Sequence, residues 1–395
     1  ENLEMKKTLV AIAALAATSA FAQSSVTAYG IVDAAYYTAT VKTSTKTTKY
    51  AGLTNSNLAG SRLGFKGTED LGNGLKANFV AEMALNVIGD GFGNKQDGAG
   101  APAANNTSDA GTGAVFNRQT WAGLESAKWG EVRAGYMNTL QYDHNAPFSA
   151  GFEGAAGARE HLEVLNGASL TKVSSNLETN RVTGVTYFAP AMGGLKLAAQ
   201  WGALKATQIE GGTATGGTNY TASHASLSAN YSNGPLAIGG VVGNSIAQVN
   251  ATDKATYQGD RTETTAYSLG ASYDLQVAKL FAYYGDRKTS NGAGANEVNV
   301  TVYRFGAHVP VGNFKLFASM GQLNGDQGTT EVSNRKTTQV GTLYSFSKRT
   351  TGFALYGKDK ADLALTGFTT AGAGITAAAA ATTTSTLRVG INHSF

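Results

Sequence analysis

"SRLGFKGTEDLGNGLKANFVAE", residues 61–82, holds two alternating runs around a turn. Arg62, Gly64 and Lys66 alternate with Leu63 and Phe65. Past the turn, Lys76, Asn78 and Glu82 alternate with Leu75, Ala77, Phe79 and Ala81. A period of two puts one set of side chains on each face of a strand. The turn "EDLGNG" (69–74) is rich in Gly and Asn, which accept positive φ. One face of this hairpin is apolar and the other charged. In a soluble sandwich the apolar face is core; in a membrane barrel it meets lipid and the charged face lines the interior.

Composition narrows the choice. A chain of 395 residues holds either a few ordinary domains or one large barrel. Charged residues are 15% of it, against about 25% in typical soluble proteins. With 50 Gly and only 5 Pro, the chain suits sheet with many turns. There is no Cys, which removes disulfides and thiolate metal sites and fits passage through an oxidising compartment. The net charge of +4 shows no basic patch of the kind a nucleic-acid binder concentrates.

"MKKTLVAIAALAATSAFAQ" begins at Met5, after four upstream residues. Lys6 and Lys7 precede a short apolar run, and Ala20-Phe21-Ala22 has the small-x-small form of a cleavage site. The run is too short to span a bilayer as a helix. Residues 1–22 therefore read as a secretory leader with four upstream residues, and 23–395 as one outer-membrane barrel domain.

Beyond Gln23 the rhythm repeats: a strand, a short turn, a strand, a long polar loop. Strands are expected at 24–40, 60–68, 75–87, 115–125, 131–142, 181–189, 195–204, 222–231, 236–247, 264–274, 279–287, 297–309, 313–323, 337–348, 352–361 and 385–395. That is about sixteen, an even number, with long connections at 88–114, 144–180 and 362–384. Tyr303, Phe305, Ala307 and Val309 oppose Arg304 and His308, and Leu387, Val389 and Ile391 oppose Arg388, Asn392 and Ser394. The leader, the short and long connections and the charged inner face favour an all-β, transmembrane antiparallel barrel. Its edges must close, because unpaired backbone groups are not tolerated in hydrocarbon.

Several motifs point away from catalysis. His144, His161, His224, His308 and His393 lack metal-ligand spacing, so no metal site is expected. "GDGFGN" (89–94) lacks the strand–helix setting of a phosphate loop and reads as a loop tip. Neither G-x-S-x-G nor H-E-x-x-H occurs, and no cofactor or enzymatic activity is expected.

"SRLGFKGTEDLGNGLKA" (61–77), "FNRQTWAGL" (116–124), "GEVRAG" (130–135), "YSFSKRT" (344–350) and "VGINHSF" (389–395) resemble the general trimeric porins of Gram-negative outer membranes, in their β-proteobacterial (Burkholderia, Comamonas, Neisseria) form. The resemblance covers essentially all of the mature chain. It implies sixteen strands, short periplasmic turns, long extracellular loops, a third loop folded inward, and a homotrimer in outer-membrane lipid. Periplasmic chaperones and the barrel-assembly machinery would be its partners in export. Arg62 in "SRLGF" and Arg118 in "NRQ" match two of the family's basic constriction positions, and Arg181 in "NRVTGVTY" is read as a third; Lys66 shares the face of Arg62, and Glu82 matches an acidic lumen position. Phe395 matches the terminal residue read as an assembly signal; the plain alternative is an apolar strand end.

Two departures bear on these assignments. Tyr136 follows Gly135 where many relatives carry Gly-Arg. The spacing from Arg181 to Tyr187 is one residue shorter than in many relatives, and a one-residue shift reverses the face. Near Arg118 the phase has two readings: with Trp121 toward lipid Arg118 faces the lumen, with Leu124 toward lipid it does not. The first is preferred, since Arg on a lipid face at mid-membrane costs about 2–4 kcal/mol. Glu153, with Glu160 and Glu163 on a possible short helix in "GAREHLEVL", are either solvated loop charges or constriction acids facing the basic wall. The expected function is passive diffusion of small hydrophilic solutes and ions with a weak anion preference. The alternative is a substrate-selective channel with a saturable site for anions or organic acids.

Overall fold

The computed structural model describes residues 25–88, 91–92, 115–151, 181–207, 218–251, 260–291, 297–363, 365–368, 375–377 and 381–395. The leader reading of residues 1–22 lies outside them, as do Glu153, Glu160 and Glu163. The opening hairpin forms as the alternation requires: β3 (Arg62–Gly72) pairs antiparallel with β4 (Leu75–Asn86), Leu63 opposite Met83 and Gly64 opposite Glu82. Asn73 sits between Gly72 and Gly74, all three at positive φ, which is why this turn uses those residues. Phe65 and Phe79 are exposed on the outer face while Glu82 is buried on the inner one.

From there the sheet runs by nearest neighbours. β1 (Ser25–Lys42), β2 (Thr47–Asn55) and β3 are followed by β4, a two-residue β5 (Gly91–Phe92) hooked on its end, β6 (Gln119–Ser126) and β7 (Gly130–Asn138). Then come β8 (Arg181–Phe188), β9 (Leu195–Thr207), β10 (Thr218–Asn233), β11 (Leu236–Ala251), β12 (Asp260–Asp274) and β13 (Lys279–Asn291). The wall continues through β14 (Glu297–Val311), β15 (Phe314–Gln327), β16 (Thr330–Ser345) and β17 (Thr350–Leu363). A small separate hairpin, β18 (Leu365–Phe368) with β19 (Ile375–Ala377), precedes β20 (Thr382–Ser394). β20 pairs back onto β1, from Ile31–Ser394 to Lys42–Thr383, and closes the sheet. Because β2 and β3 are two halves of one strand facing β1, and β5 is a hook, the wall is a closed antiparallel barrel of sixteen strands.

Closure ends on the last residue. Gly30 N–H donates to the Phe395 carbonyl and Phe395 N–H to the Gly30 carbonyl, both at 3.1 Å. The Phe395 ring lies over Gly30, on the outer face with Leu387, Val389 and Ile391.

Three expectations are corrected. Residues 47–55 are strand, not connection: the second strand is interrupted by an inward bulge at 56–61, so its upper half escaped the alternation. The strand expected at 131–142 stops at Asn138, because Thr139 caps a short helix, α1 (Leu140–Asn145), accepting a hydrogen bond from Tyr142 N–H. The long-loop end also contains tight turns, at 43–46 after β1 and at 328–329 after β15. The strands from β10 to β17 run 13–16 residues, so they exceed the roughly 9–11 needed to cross a bilayer.

The bulge has its own cause. Asp33 of β1 is fully buried on the inner face and accepts from Asn57 N–H (2.6 Å), Asn57 Nδ2 (2.8 Å), Leu58 N–H (2.8 Å) and Asn392 Nδ2 (2.8 Å). A buried carboxylate needs such donors, and here they come from the chain segment it pulls inward. Leu58 then packs on an inner apolar cluster of Ala35, Phe317, Leu343, Phe353 and Leu355.

Replacing Gly30 by Leu should damage closure, since a Cβ there meets the Phe395 ring and lies 2.8 Å from the Arg62 carbonyl. An overpacking cost of about 1–3 kcal/mol is expected. Urea titration of the vesicle-refolded barrel, read by heat-modifiable mobility, checks it against Gly52→Ala, where the nearest atom to a Cβ is 3.7 Å away. Equal midpoints for the two variants would contradict this account of the seam.

Candidate pore constriction

Glu82 is the centre of a charged cluster on the inner wall. Its Oε1 accepts from Arg118 Nε at 2.6 Å, its Oε2 from the Tyr29 hydroxyl at 3.1 Å, and Arg62 Nη1 stands 3.8 Å from Oε2. Glu82 and Arg118 are buried and Arg62 half-buried. Arg62 Nε also donates to the Gly60 carbonyl at 2.8 Å. Gly64 is required here: a Cβ would strike the Tyr29 ring that reaches across to Glu82. Lys66, two residues further down β3, is exposed with its Nζ 5.4 Å from the Tyr29 ring centre. The structure thus brings Arg62, Glu82 and Arg118 together and sets Lys66 beside them.

The structure reverses the phase expected around Arg118. Trp121 faces inward, with the Arg133 guanidinium stacked 4.3 Å from its ring centre, and Leu124 faces outward. Arg118 reaches the lumen because it precedes β6, where alternation does not bind it; its N–H donates to the Glu82 carbonyl at 3.0 Å. Arg181 stands apart from the cluster. At the start of β8 it pairs with Asn138 in the phase of Val185 and Tyr187, whose side chains are exposed on the outer face. Its own side chain is buried, within electrostatic reach of Asp143 in α1. Tyr136 pairs with Thr183 in the same outward phase.

The opposite wall carries α1 and the 3-10 turn Ala146–Phe148 that follows it. These sit in a trough made by inner-face glycines. A Cβ at Gly243 would strike Gln141, one at Gly270 would strike Phe148, and one at Gly306 would strike Ala150. Polar bonds hold the same segment at both ends. Gln200 Oε1 accepts from Leu140 N–H at 3.3 Å, and Gln200 Nε2 donates to the Asn138 carbonyl at 2.9 Å. His144 Nδ1 lies 3.0 Å from Asn230 Oδ1. Arg304 Nη2 donates to Ser149 Oγ at 2.7 Å, and His308 Nε2 to the Ala150 carbonyl at 2.8 Å. Burial holds the His144 imidazole below its ordinary range, so it is neutral at pH 7 and donates from Nδ1. Phe148 packs with Tyr283, Val298, Val300, Val302 and Leu323 in an apolar cluster on the inner wall.

Several inner arginines lie beyond the expected constriction residues. Arg133 pairs with Glu131 at 2.7 Å and Arg335 with Asp359 through two guanidinium nitrogens. Arg388 donates to Asn57 Oδ1 at 2.9 Å, and Arg287 to Thr289 Oγ1 at 3.2 Å. The exposed Val132 beside it gives the phase that reveals Arg133, as Leu387 and Val389 do for Arg388 in the sequence. Among the described residues no group of three or more His, Asp or Glu side chains forms a metal site.

Two variants test this geometry. Arg118→Ala strips a buried partner from Glu82, and such breaks cost about 3–5 kcal/mol, whereas Arg118→Ala with Glu82→Gln removes the stranded charge and should recover most of it. Urea unfolding of all four cycle members measures this; a double variant no better than Arg118→Ala would show the pair is not coupled. Gly270→Leu should push Phe148 off its bed and change single-channel conductance in planar bilayers, with the refolded yield as the folding control.

The comparisons with known proteins agree with this fold. The family model for Gram-negative porins matches residues 8–364. The chain is 31% identical to the outer membrane porin protein 32 of Delftia acidovorans, over 99% of this chain and 100% of that protein. It is 30% identical to an outer membrane porin protein of Bordetella pertussis, over 94% of this chain and 99% of that protein. Among solved structures, an anion-selective porin from Comamonas acidovorans superposes with a TM-score of 0.66 at 24% identity, covering 94% of this chain and 100% of that one. The trimer form of OmpT from Vibrio cholerae does so with a TM-score of 0.60 at 14% identity, covering 94% and 99%. The chain belongs to the Gram-negative porin family, whose members form channels in the outer membrane.

Proposed function

We propose that this porin passes small hydrophilic solutes and ions by passive diffusion with a weak preference for anions, and that it works as a homotrimer. The observation that carries the preference is the kind of partner the inner arginines have. Glu82 answers both Arg118 and Arg62, and Glu131 and Asp359 answer one guanidinium each, while Arg304 is bonded to neutral Ser149 and Arg388 to neutral Asn57, with the Asp33 carboxylate within electrostatic reach of Arg388. The inner wall therefore carries guanidinium groups bonded to uncharged partners, in a space where screening is incomplete. The anion-selective Comamonas porin supports the same sign. Arg62, with Lys66 exposed beside it, extends the basic side of the constriction, and Glu82 moderates it. Glu153, Glu160 and Glu163 are proposed to oppose that side from the third loop, and Arg181 to lie off the ion path.

Trimerisation is supported by the outer face beside the seam. Small residues Gly67, Ala77, Ala122 and Ala134 form a hollow rimmed by Val26, Phe79, Leu124 and Val132. With Leu387, Val389 and Ile391 on the far side of β1, this gives an apolar face suited to a neighbouring protomer. The OmpT structure described as a trimer supports the same state. The leader at 1–22 and recognition of Phe395 during assembly belong to this reading, as does the absence of enzymatic activity and cofactors.

Reversal potentials across a KCl gradient test the selectivity. The wild type should prefer chloride weakly, the preference should fade as salt rises, and Arg62→Ala with Arg118→Ala should move the potential toward cations. A cation-selective wild type, or a double variant with an unchanged potential, would remove the arginine wall from the account. A conductance that saturates with one anion would favour the substrate-selective alternative.

A further inference from the structure

A fully buried carboxylate, Asp33, stands beside the constriction without belonging to it. β1 pairs with β2 down to Ala34–Asn55 and resumes with β3 at Ile31–Arg62, so the whole segment 56–61 faces only Val32 and Asp33. The surplus residues have to fold inward, and Asp33 shapes them nearly one by one. Its carbonyl accepts from Ser56 N–H at 3.1 Å. Its Oδ1 accepts from Asn57 N–H at 2.6 Å, and its Oδ2 from Leu58 N–H at 2.8 Å and Ala59 N–H at 3.4 Å. Its own N–H donates to Ser61 Oγ at 3.0 Å. Ser56 enters the segment at a φ of 60°, a left-handed conformation that residues with a side chain adopt sparingly.

The segment delivers Gly60, and Gly60 is the seat of two guanidinium groups. Its carbonyl accepts from Arg62 Nε at 2.8 Å. Arg118 lies against its α-carbon: the three atoms nearest to a Cβ built there all belong to that guanidinium, with Nη1 at 2.9 Å. From this seat the two arginines divide Glu82 unequally, Arg118 Nε at 2.6 Å from Oε1 and Arg62 Nη1 at 3.8 Å from Oε2. The far side of the segment is braced as well. Asn392 Nδ2 on β20 donates to Asp33 Oδ2 at 2.8 Å, and Arg388 Nη1 to Asn57 Oδ1 at 2.9 Å.

We infer that Asp33 is the positioning residue of the constriction and a determinant of its ion selectivity. It acts through Gly60, whose place sets how Arg62 and Arg118 share Glu82. The effect on selectivity rests on the arginine wall proposed above. Functional constellations tolerate displacements of only about 0.5 Å, and this one hangs on a loop held by a single carboxylate. With Gly60 moved, Arg62 loses its acceptor and closes on Glu82, so less of its charge faces the aperture.

Asp33→Glu tests this, because it keeps the charge and adds one methylene; a role through charge alone predicts no change in selectivity. Reversal potentials across a KCl gradient are measured for the full-length refolded protein in planar bilayers. The substitution is made in the wild type and in Arg62→Ala with Arg118→Ala. In the wild type it should move the potential toward cations, in the same sense as the arginine double variant and by less. Where both arginines are absent it should leave the potential unchanged. Equal shifts in the two backgrounds, or none in either, would overturn the inference. This coupling is read whichever ion the wild type prefers. A cation-selective wild type therefore defeats the proposed preference, while the coupling still decides the role of Asp33. Heat-modifiable mobility establishes that each variant is folded. If Asp33→Glu is not, Gly60→Ala carries the test, since it leaves the Asp33 bonds in place and crowds the Arg118 guanidinium. It should shift the potential in the wild type and not in Arg118→Ala; the same shift in both would overturn the inference.

Discussion

A sheet at bilayer depth has no water to satisfy an unpaired edge, and this constraint organises the rest of the molecule. The first strand feels it most. β1 pairs from Ile31 to Lys42 with β20 on one side, and with β3 and then β2 on the other. Closure therefore joins residues near both ends of the chain, and its last rung is the reciprocal Gly30–Phe395 pair. The terminal aromatic packs over a glycine because the backbones at the seam leave room for one side chain, not two.

Closing the sheet turns the usual packing problem around. The outer face is satisfied by lipid, so the inner face must solve the problem of buried polar groups. It does so by drawing backbone inward on two sides. On one side Asp33 gathers the N–H groups of the 56–61 bulge, and Arg388 secures the same bulge through Asn57. On the other side glycines lower the wall so that α1 and the turn after it can lie against it, with Gln200, Asn230, Arg304 and His308 as anchors. A bulge beside the seam and a loop across from it narrow the lumen together, and the Glu82 cluster lies next to the bulge through Gly60.

Much of this was legible in the sequence where alternation was unbroken. β14 and β20 keep strict phase, and their exposed and buried residues fall where the pattern placed them. Legibility failed where tertiary contacts interrupt a strand. Residues 47–55 belong to a strand whose middle Asp33 pulls away, and no local signal marks that pull. Around Arg118 the correct side was reached with Trp121 on the wrong one. The cost of Arg118 on a lipid face pointed Trp121 outward, whereas the Arg133 guanidinium and the Met137–Val182 cluster make an inner site for that ring. Arg181 shows that register alone does not fix a side chain's surroundings: its backbone lies in the outward phase, yet its side chain is buried within electrostatic reach of Asp143.

The arginine wall gains its effect from being imperfectly neutralised. A buried ion pair such as Glu82–Arg118 contributes geometry more than field, because its charges largely cancel at a distance. Had every inner guanidinium such a partner, the lumen would be rigid and nearly neutral. Arg304 is instead held by Ser149, which fixes position without removing charge, and Arg388 by Asn57, with the Asp33 carboxylate beyond it as a partial counter-charge. These two arginines also anchor the two inward elements. Under the proposed anion preference, the groups that shape the aperture are among those that give it its sign, so size and charge selection are coupled at these positions.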